Sequence, residues 1–210
     1  VKGAVAVPHA RRDTARAVRA ALRRAALVAA PALTALLALA VAPSAAPAPA
    51  GGPTVCTVDG ILQPGPDVLG TESADRIECS SVAAGHVVDG LGGADVLTLT
   101  GPVEGDVRGG RGDDTLLALP GGEEAPRAGL HGDEGNDTIR FADGVEVSGL
   151  VDGGEGDDRI VVRGTLTRSG QIFGDGGDDD IHVHNNQGFA DARPGARDLC
   201  LADMGNPCPR

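Results

Sequence analysis

The chain has 210 residues, room for one domain and a leader, yet only three aromatics: Phe141, Phe173 and Phe189. Its 33 glycines are about twice the usual share, which argues against a bulky globular core and for thin stacked layers of Val, Ile and Leu. Residues 51–210 hold 11 arginines, no lysine and 29 acids, net −18; such a surface repels nucleic acid and anionic lipid and attracts cations.

Residues 1–50 read as an export signal. Arg11, Arg12, Arg16, Arg19, Arg23 and Arg24 form a basic front, an apolar run spans Ala25 to Ala42, and the tail APSAAPAPA offers an A-x-A site at Ala48-Pro49-Ala50. The run is near the length of a membrane span, so an uncleaved anchor is the competing reading. Pro31 in its middle and the Ala/Pro tail favour cleavage, hence a secreted protein with no stable membrane insertion once the signal is removed. Residues 51–65 are expected to form an N-terminal cap and 185–210 a C-terminal cap. All four cysteines, Cys56, Cys79, Cys200 and Cys208, follow the leader, and an even count in an exported chain points to two disulfides. Three connectivities are possible; Cys56–Cys79 and Cys200–Cys208 would each cap one end.

Between the caps, six loops recur: GTESADRIE from Gly70, GLGGADVLT from Gly90, GGRGDDTLL from Gly109, GDEGNDTIR from Gly132, GGEGDDRIV from Gly153 and GDGGDDDIH from Gly174. Their sixth residue is Asp75, Asp95, Asp114, Asp137, Asp158 or Asp179, spaced 20, 19, 23, 21 and 21 apart. Two residues past each aspartate stand Ile77, Leu97, Leu116, Ile139, Ile160 and Ile181; four past stand Cys79, Leu99, Ala118, Phe141, Val162 and Val183. Two before each first glycine stand Val68, Val88, Val107, Leu130, Val151 and Ile172. The step of two is a strand period with alternate side chains inward. The expected fold is therefore an all-β parallel solenoid, a β-roll with coils of about 20 residues and disulfide-capped ends. From the pre-loop residue to the fourth past the aspartate every coil has the same length, while the intervening gaps are 9, 8, 12, 10 and 10 residues. One edge is constant, and it carries the aspartates.

Strands stacked about 4.8 Å apart would set these carboxylates against one another, a repulsion that a divalent cation between successive loops removes. The ligands on offer are carboxylates and backbone carbonyls, with no thiolate or imidazole in the loops, which selects Ca²⁺ or Mg²⁺ over Zn²⁺ or Cu²⁺, and flexible glycine cages of many oxygens favour Ca²⁺. The candidate ligands are Asp95, Asp114, Asp137, Asp158 and Asp179, with Asp75 as a sixth, and loop carbonyls near Gly93, Gly110, Gly112, Gly135, Gly154, Gly156 and Gly177. Asp113, Asp157 and Asp178 add negative field.

At these residues the chain resembles the haemolysin-type calcium-binding (RTX) repeat family, whose nonapeptide is G-G-x-G-x-D-x-U-x with U apolar. GGRGDDTLL and GGEGDDRIV fit at every fixed place; Asp133, Asp175 and Leu91 replace the second glycine elsewhere, and the Gly70 copy keeps only Gly70, Asp75 and Ile77. Over residues 66–184 the resemblance implies a parallel β-roll with Ca²⁺ shared between loops of successive coils. Family rolls often carry the nonapeptide on both edges, whereas here one edge does. A single row of ions is expected, about four. Family members exported by type I machinery use a C-terminal signal, unlike the N-terminal leader here.

His182 and His184 alternate on one strand, as a two-histidine metal site would, but fall outside the inward rows and read as outward strand residues. Arg111-Gly112-Asp113 and the sequon at Asn136 are products of the loop pattern. The chain has no H-E-x-x-H and no G-x-S-x-G. The row three past each aspartate, Glu78, Thr98, Leu117, Arg140, Val161 and His182, is no threonine ladder and argues against an ice-binding face. The expected function is reversible Ca²⁺ binding coupled to folding by a secreted, non-enzymatic protein. Two other readings are an adhesion or matrix scaffold contacting partners through the variable edge near Pro120 to Arg127, and a secreted polysaccharide-acting or hydrolytic enzyme with an RTX-like fold.

Overall fold

The computed structural model describes residues 52–120 and 129–209. The leader and nearly all of the variable-edge stretch from Pro120 to Arg127 lie outside the described residues. Two sheets of parallel strands face each other across a narrow core. Strands following the aspartates build one: Arg76–Ser81, Val96–Leu99, Thr115–Ala118, Thr138–Phe141, Arg159–Leu166, Asp180–Asn186 and Leu199–Gly205. Strands leading into the loops build the other: Val68–Thr71, Val87–Leu91, Asp106–Arg111, Gly129–Glu134, Leu150–Glu155, Gln171–Gly176 and Phe189–Asp191. The chain passes from one sheet to the other at every loop, so each coil hydrogen-bonds only to the coils before and after it.

The three apolar rows are the core. Ile77, Leu97, Leu116, Ile139, Ile160 and Ile181 lie in register across the first sheet, and Val68 through Ile172 across the second. All are at most 1% exposed, and the row four past the aspartates at most 4%. Burying each Val, Leu or Ile stabilises the coil by about 1.5–3 kcal/mol. Only one face of each sheet meets the core, and for that reason the strands keep a period of two although they pair in parallel. At the opposite edge Val82, Val103, Val145, Val147 and Leu166 close the core, with Val82 bridged to Val103 and Val147 in register with Leu166.

The N-terminal end is closed by a hairpin. Val55–Val58 runs antiparallel to both Arg76–Ser81 and Ile61–Pro64. Its two-residue turn is Asp59-Gly60, both at positive φ, the Asp-Gly signature of a tight hairpin. Cys56 lies opposite Cys79, and the two are joined with a Cα–Cα separation of 4.1 Å; Cys200 is joined to Cys208.

Residues 185–209 are more than a cap. They continue the stack by a seventh coil: Ala190 follows Ile172 and Cys200 follows Ile181 in register. From Ala190 to Asp198 is one residue longer than from Ile172 to Asp179, and only one of the loop's glycines survives, Gly195. The nonapeptide pattern hides this coil for those two reasons.

Candidate cation-binding column

Each loop aspartate turns inward at the constant edge. Asp95, Asp114, Asp137, Asp158 and Asp179 are 1–2% exposed and Asp75 is 5% exposed. One oxygen of each has a fixed task. Oδ1 of Asp95 accepts the backbone N–H of Asp75, and the same bond repeats from Asp95 to Asp114, Asp114 to Asp137, Asp137 to Asp158 and Asp158 to Asp179, at 2.7–2.9 Å. The Asp179 N–H donates to Asp198 Oδ1 at 3.1 Å, so Asp198 is a seventh member of the column. The acids at this place are therefore partly architectural, a role that reasoning from repulsion alone does not reveal.

The second oxygen is different. Oδ2 of Asp95, Asp114, Asp137, Asp158, Asp179 and Asp198 is buried with no hydrogen-bond partner. Among the described residues none of these aspartates takes part in an ion pair. Asp75 departs from the rest: its Oδ2 accepts from the Thr71 N–H at 2.5 Å and the Thr71 hydroxyl at 3.0 Å. A buried carboxylate oxygen without a donor is costly unless a proton or cation meets it.

The surroundings of that oxygen are set by glycine. A methyl on Gly90, Gly109, Gly132 or Gly153 would strike the loop's own Oδ2 and the carbonyl oxygen of the first glycine one coil on: Gly109, Gly132, Gly153 or Gly174. Four gaps thus combine an orphan carboxylate oxygen with a glycine carbonyl at a place only a missing side chain leaves open. In the gap after Asp179, Ala192 occupies the place that a first glycine holds in the earlier coils. These first-glycine carbonyls were not among the ligands expected from the sequence. The expected fourth-position glycines, Gly93, Gly112, Gly135, Gly156 and Gly177, all have positive φ between 120° and 142°. A Cβ on Gly112, Gly135, Gly156 or Gly177 would strike the carbonyl of its counterpart one coil back. The second position is left-handed too, whether it holds Gly110 or Gly154 or the substitutes Leu91, Asp133 and Asp175.

Burial sets the electrostatics. Removal from water is the largest influence on every shifted column carboxyl, exceeding the opposing backbone hydrogen bond, and neighbouring acids push the same way. Asp114 and Asp158 rise to about 7, Asp137 and Asp179 to about 6, and Asp95 rises as well. On the flank of the loops a groove of about 560 Å³ adds Glu72, Asp89, Asp133, Glu134, Glu155 and Asp175 to the same edge.

A second ladder runs outside the first and in the opposite sense. Asp113 Oδ1 accepts the Asn136 N–H, Asn136 Oδ1 the Asp157 N–H, Asp157 Oδ1 the Asp178 N–H, and Asp178 Oδ1 those of Ala196 and Arg197, at 2.8–3.0 Å. The fifth-place residues thus tie coils together as well as adding negative field. The Asn136 sequon and Asp113 of the Arg-Gly-Asp tripeptide are engaged in this ladder. His182 and His184 point outward and share Asp203 on the next strand, at 2.9 and 3.0 Å. Among the described residues no three His, Cys, Asp or Glu side chains form a metal cluster. The column offers one carboxylate per coil, and a cation there would rest on glycine carbonyls for its remaining protein ligands.

Fold and column together define a class: a parallel β-solenoid with buried aspartates stacked along one constant edge. Comparisons with family models, curated proteins and solved structures find no match to this chain.

Proposed function

We propose that the column binds a row of Ca²⁺ ions, and that this chain is a secreted, non-enzymatic calcium-binding member of the RTX-type rolls whose binding and folding are coupled. One observation carries the reading: orphan, buried Oδ2 atoms repeat coil after coil without a cationic side chain, and those of Asp95, Asp114, Asp137 and Asp158 each lie beside a glycine carbonyl. An oxygen-only donor set on a glycine frame suits a hard cation of high coordination number. The two ladders supply an internal control. The outer one uses Asp113, Asn136, Asp157 and Asp178, so an amide serves there as well as an acid. The inner one uses aspartate at all seven places from Asp75 to Asp198, although asparagine would keep the Oδ1 bond. What selects aspartate is the second oxygen and its charge.

Four gaps have both the orphan oxygen and the first-glycine carbonyl, which supports a count of four ions, held by Asp95, Asp114, Asp137 and Asp158 with Asp179 closing the row. Asp75 contributes less, because Thr71 already satisfies it. The two disulfides fit an oxidising extracellular setting. The deciding experiment is a calcium titration followed by circular dichroism and native mass spectrometry at neutral pH. Ca²⁺ should create the β signal and add about four ions, each bound on the order of 10⁻⁴ to 10⁻³ M, while Mg²⁺ does so poorly. A full β signal in EGTA at neutral pH, or ions that bind without changing it, would overturn the reading.

A further inference from the structure

Acids far outnumber arginines over residues 51–210, 29 against 11, yet four of the described arginines make no ion pair: Arg108, Arg140, Arg163 and Arg168. Arg108 lies among the acids of the flank groove, and Arg168 in the turn ahead of Gln171–Gly176. Arg140 and Arg163 come together on the outer face of the first sheet. Arg140 is in register with Val161, and Arg163 stands two residues past Val161 on the same face, so the two arginines are diagonal neighbours with Cα atoms about 8 Å apart. His182 is in register with Val161 on its other side, and Arg159 stands two residues before it. Half-buried Val161 is thus an apolar floor ringed by four nitrogen-bearing side chains. All five residues line one groove of about 660 Å³, a size within the range of small-molecule sites.

The nearby acids leave these two guanidiniums alone. Asp180 faces Arg159 at 3.8 Å, and Asp203 has one oxygen on His182 and the other on His184, at 2.9 and 3.0 Å. Asp143 lines the groove without an ion pair to either arginine. A guanidinium presents its donors as a rigid fork, and two forks over one floor suit the paired oxygens of a carboxylate, sulfate or phosphate group. Thr138, Asp143 and Asp203 around them offer partners for hydroxyls. The net charge of −18 over residues 51–210 disfavours a polyanion, and so do those same two acids. We propose that this groove binds a small hydroxylated organic anion, its oxyanion group held between Arg140 and Arg163 above Val161. The site lies on the face of the sheet, apart from the aspartate column at the constant edge.

The test is an NMR titration of the full chain in saturating Ca²⁺, with the β signal of each sample verified by circular dichroism. The probes are galacturonate, galactose sulfated at its primary hydroxyl, and neutral galactose. The signals followed are the arginine Nε–H groups and the backbone amides of Arg140, Val161, Arg163 and His182. At least one of the two anions should give saturable shifts there, and galactose none; the stronger anion tells whether a planar or a tetrahedral oxyanion fits better. Arg140→Ala and Arg163→Ala should each weaken binding about tenfold, the loss of hydrogen bonds from a charged donor. Arg163→Lys, which keeps the charge without the fork, should fall between Arg163→Ala and the unmodified chain. Arg168→Ala, which removes an unpaired arginine outside the groove, should change nothing. No saturable shift with either anion, equal shifts with galactose, shifts confined to the constant edge, or binding that survives Arg140→Ala combined with Arg163→Ala would each overturn the proposal.

Discussion

An aspartate carboxylate has two oxygens, and in this protein they have separate tasks. Oδ1 closes a hydrogen bond to the coil before; Oδ2 sits buried and unpaired. Asparagine in the same place keeps the first task and abolishes the second, so Asp137→Asn separates architecture from cation binding. The expected result is a loss of one to two ions from the native mass spectrum and a higher calcium midpoint, with the saturated β signal retained. Asp157→Asn, at the neighbouring place in the outer ladder, should leave stoichiometry unchanged, because Asn136 already fills that role one coil earlier. Equal effects of the two substitutions would remove the distinction between the ladders.

The loop is the element on which this arrangement depends, and its glycines are of two kinds. First-position glycines such as Gly109 leave room for the carboxylate oxygen; fourth-position glycines bend the chain through positive φ. Gly112 combines positive φ, 120°, with a close approach to the Gly93 carbonyl, so a Cβ there both strains the backbone and forces two coils apart. Gly112→Ala should lower the stability of the calcium-loaded protein by about 1–3 kcal/mol, measured by urea unfolding in saturating Ca²⁺. An unchanged midpoint would mean that the loop relaxes at no cost. The replacements at the second position, Leu91, Asp133 and Asp175, keep the positive φ of the turn and line the flank groove.

Across the whole molecule, five carboxyls of the column, Asp95, Asp114, Asp137, Asp158 and Asp179, are shifted in the same direction. Asp114, Asp137, Asp158 and Asp179 have folded-state values raised to about 6–7, against 3.8 for the ordinary side chain, chiefly because burial disfavours the charged form. A raised value means that protonation favours the folded state, so this contribution is complete below about pH 4 and disappears as pH climbs through 6 to 7. In EGTA the β signal should therefore grow as pH falls from 8 to 5, whereas in Ca²⁺ it should stay high at pH 8 and the calcium midpoint should rise on acidification. A chelated protein with more β structure at pH 8 than at pH 5 would contradict this sign. The seven coils share one continuous core, and Cys56–Cys79 ties the closing hairpin to the first coil.

Much of this was legible before any coordinates. The three apolar rows, the period of two, the constant edge and its row of aspartates follow from spacing, because a parallel stack sets each residue beside its counterpart one coil on and so repeats chemistry in register. The seventh coil was not legible: one inserted residue and two lost glycines hide Asp198 from a pattern that counts glycines, although it still accepts the Asp179 N–H. Nor could the sequence divide the acids into an inner and an outer ladder, since adjacent residues such as Asp113 and Asp114 differ only in which way their side chains turn. That direction decides which carboxylates leave water with an unpaired oxygen, and it is fixed by the stacking of coils, not by the identity of the residue.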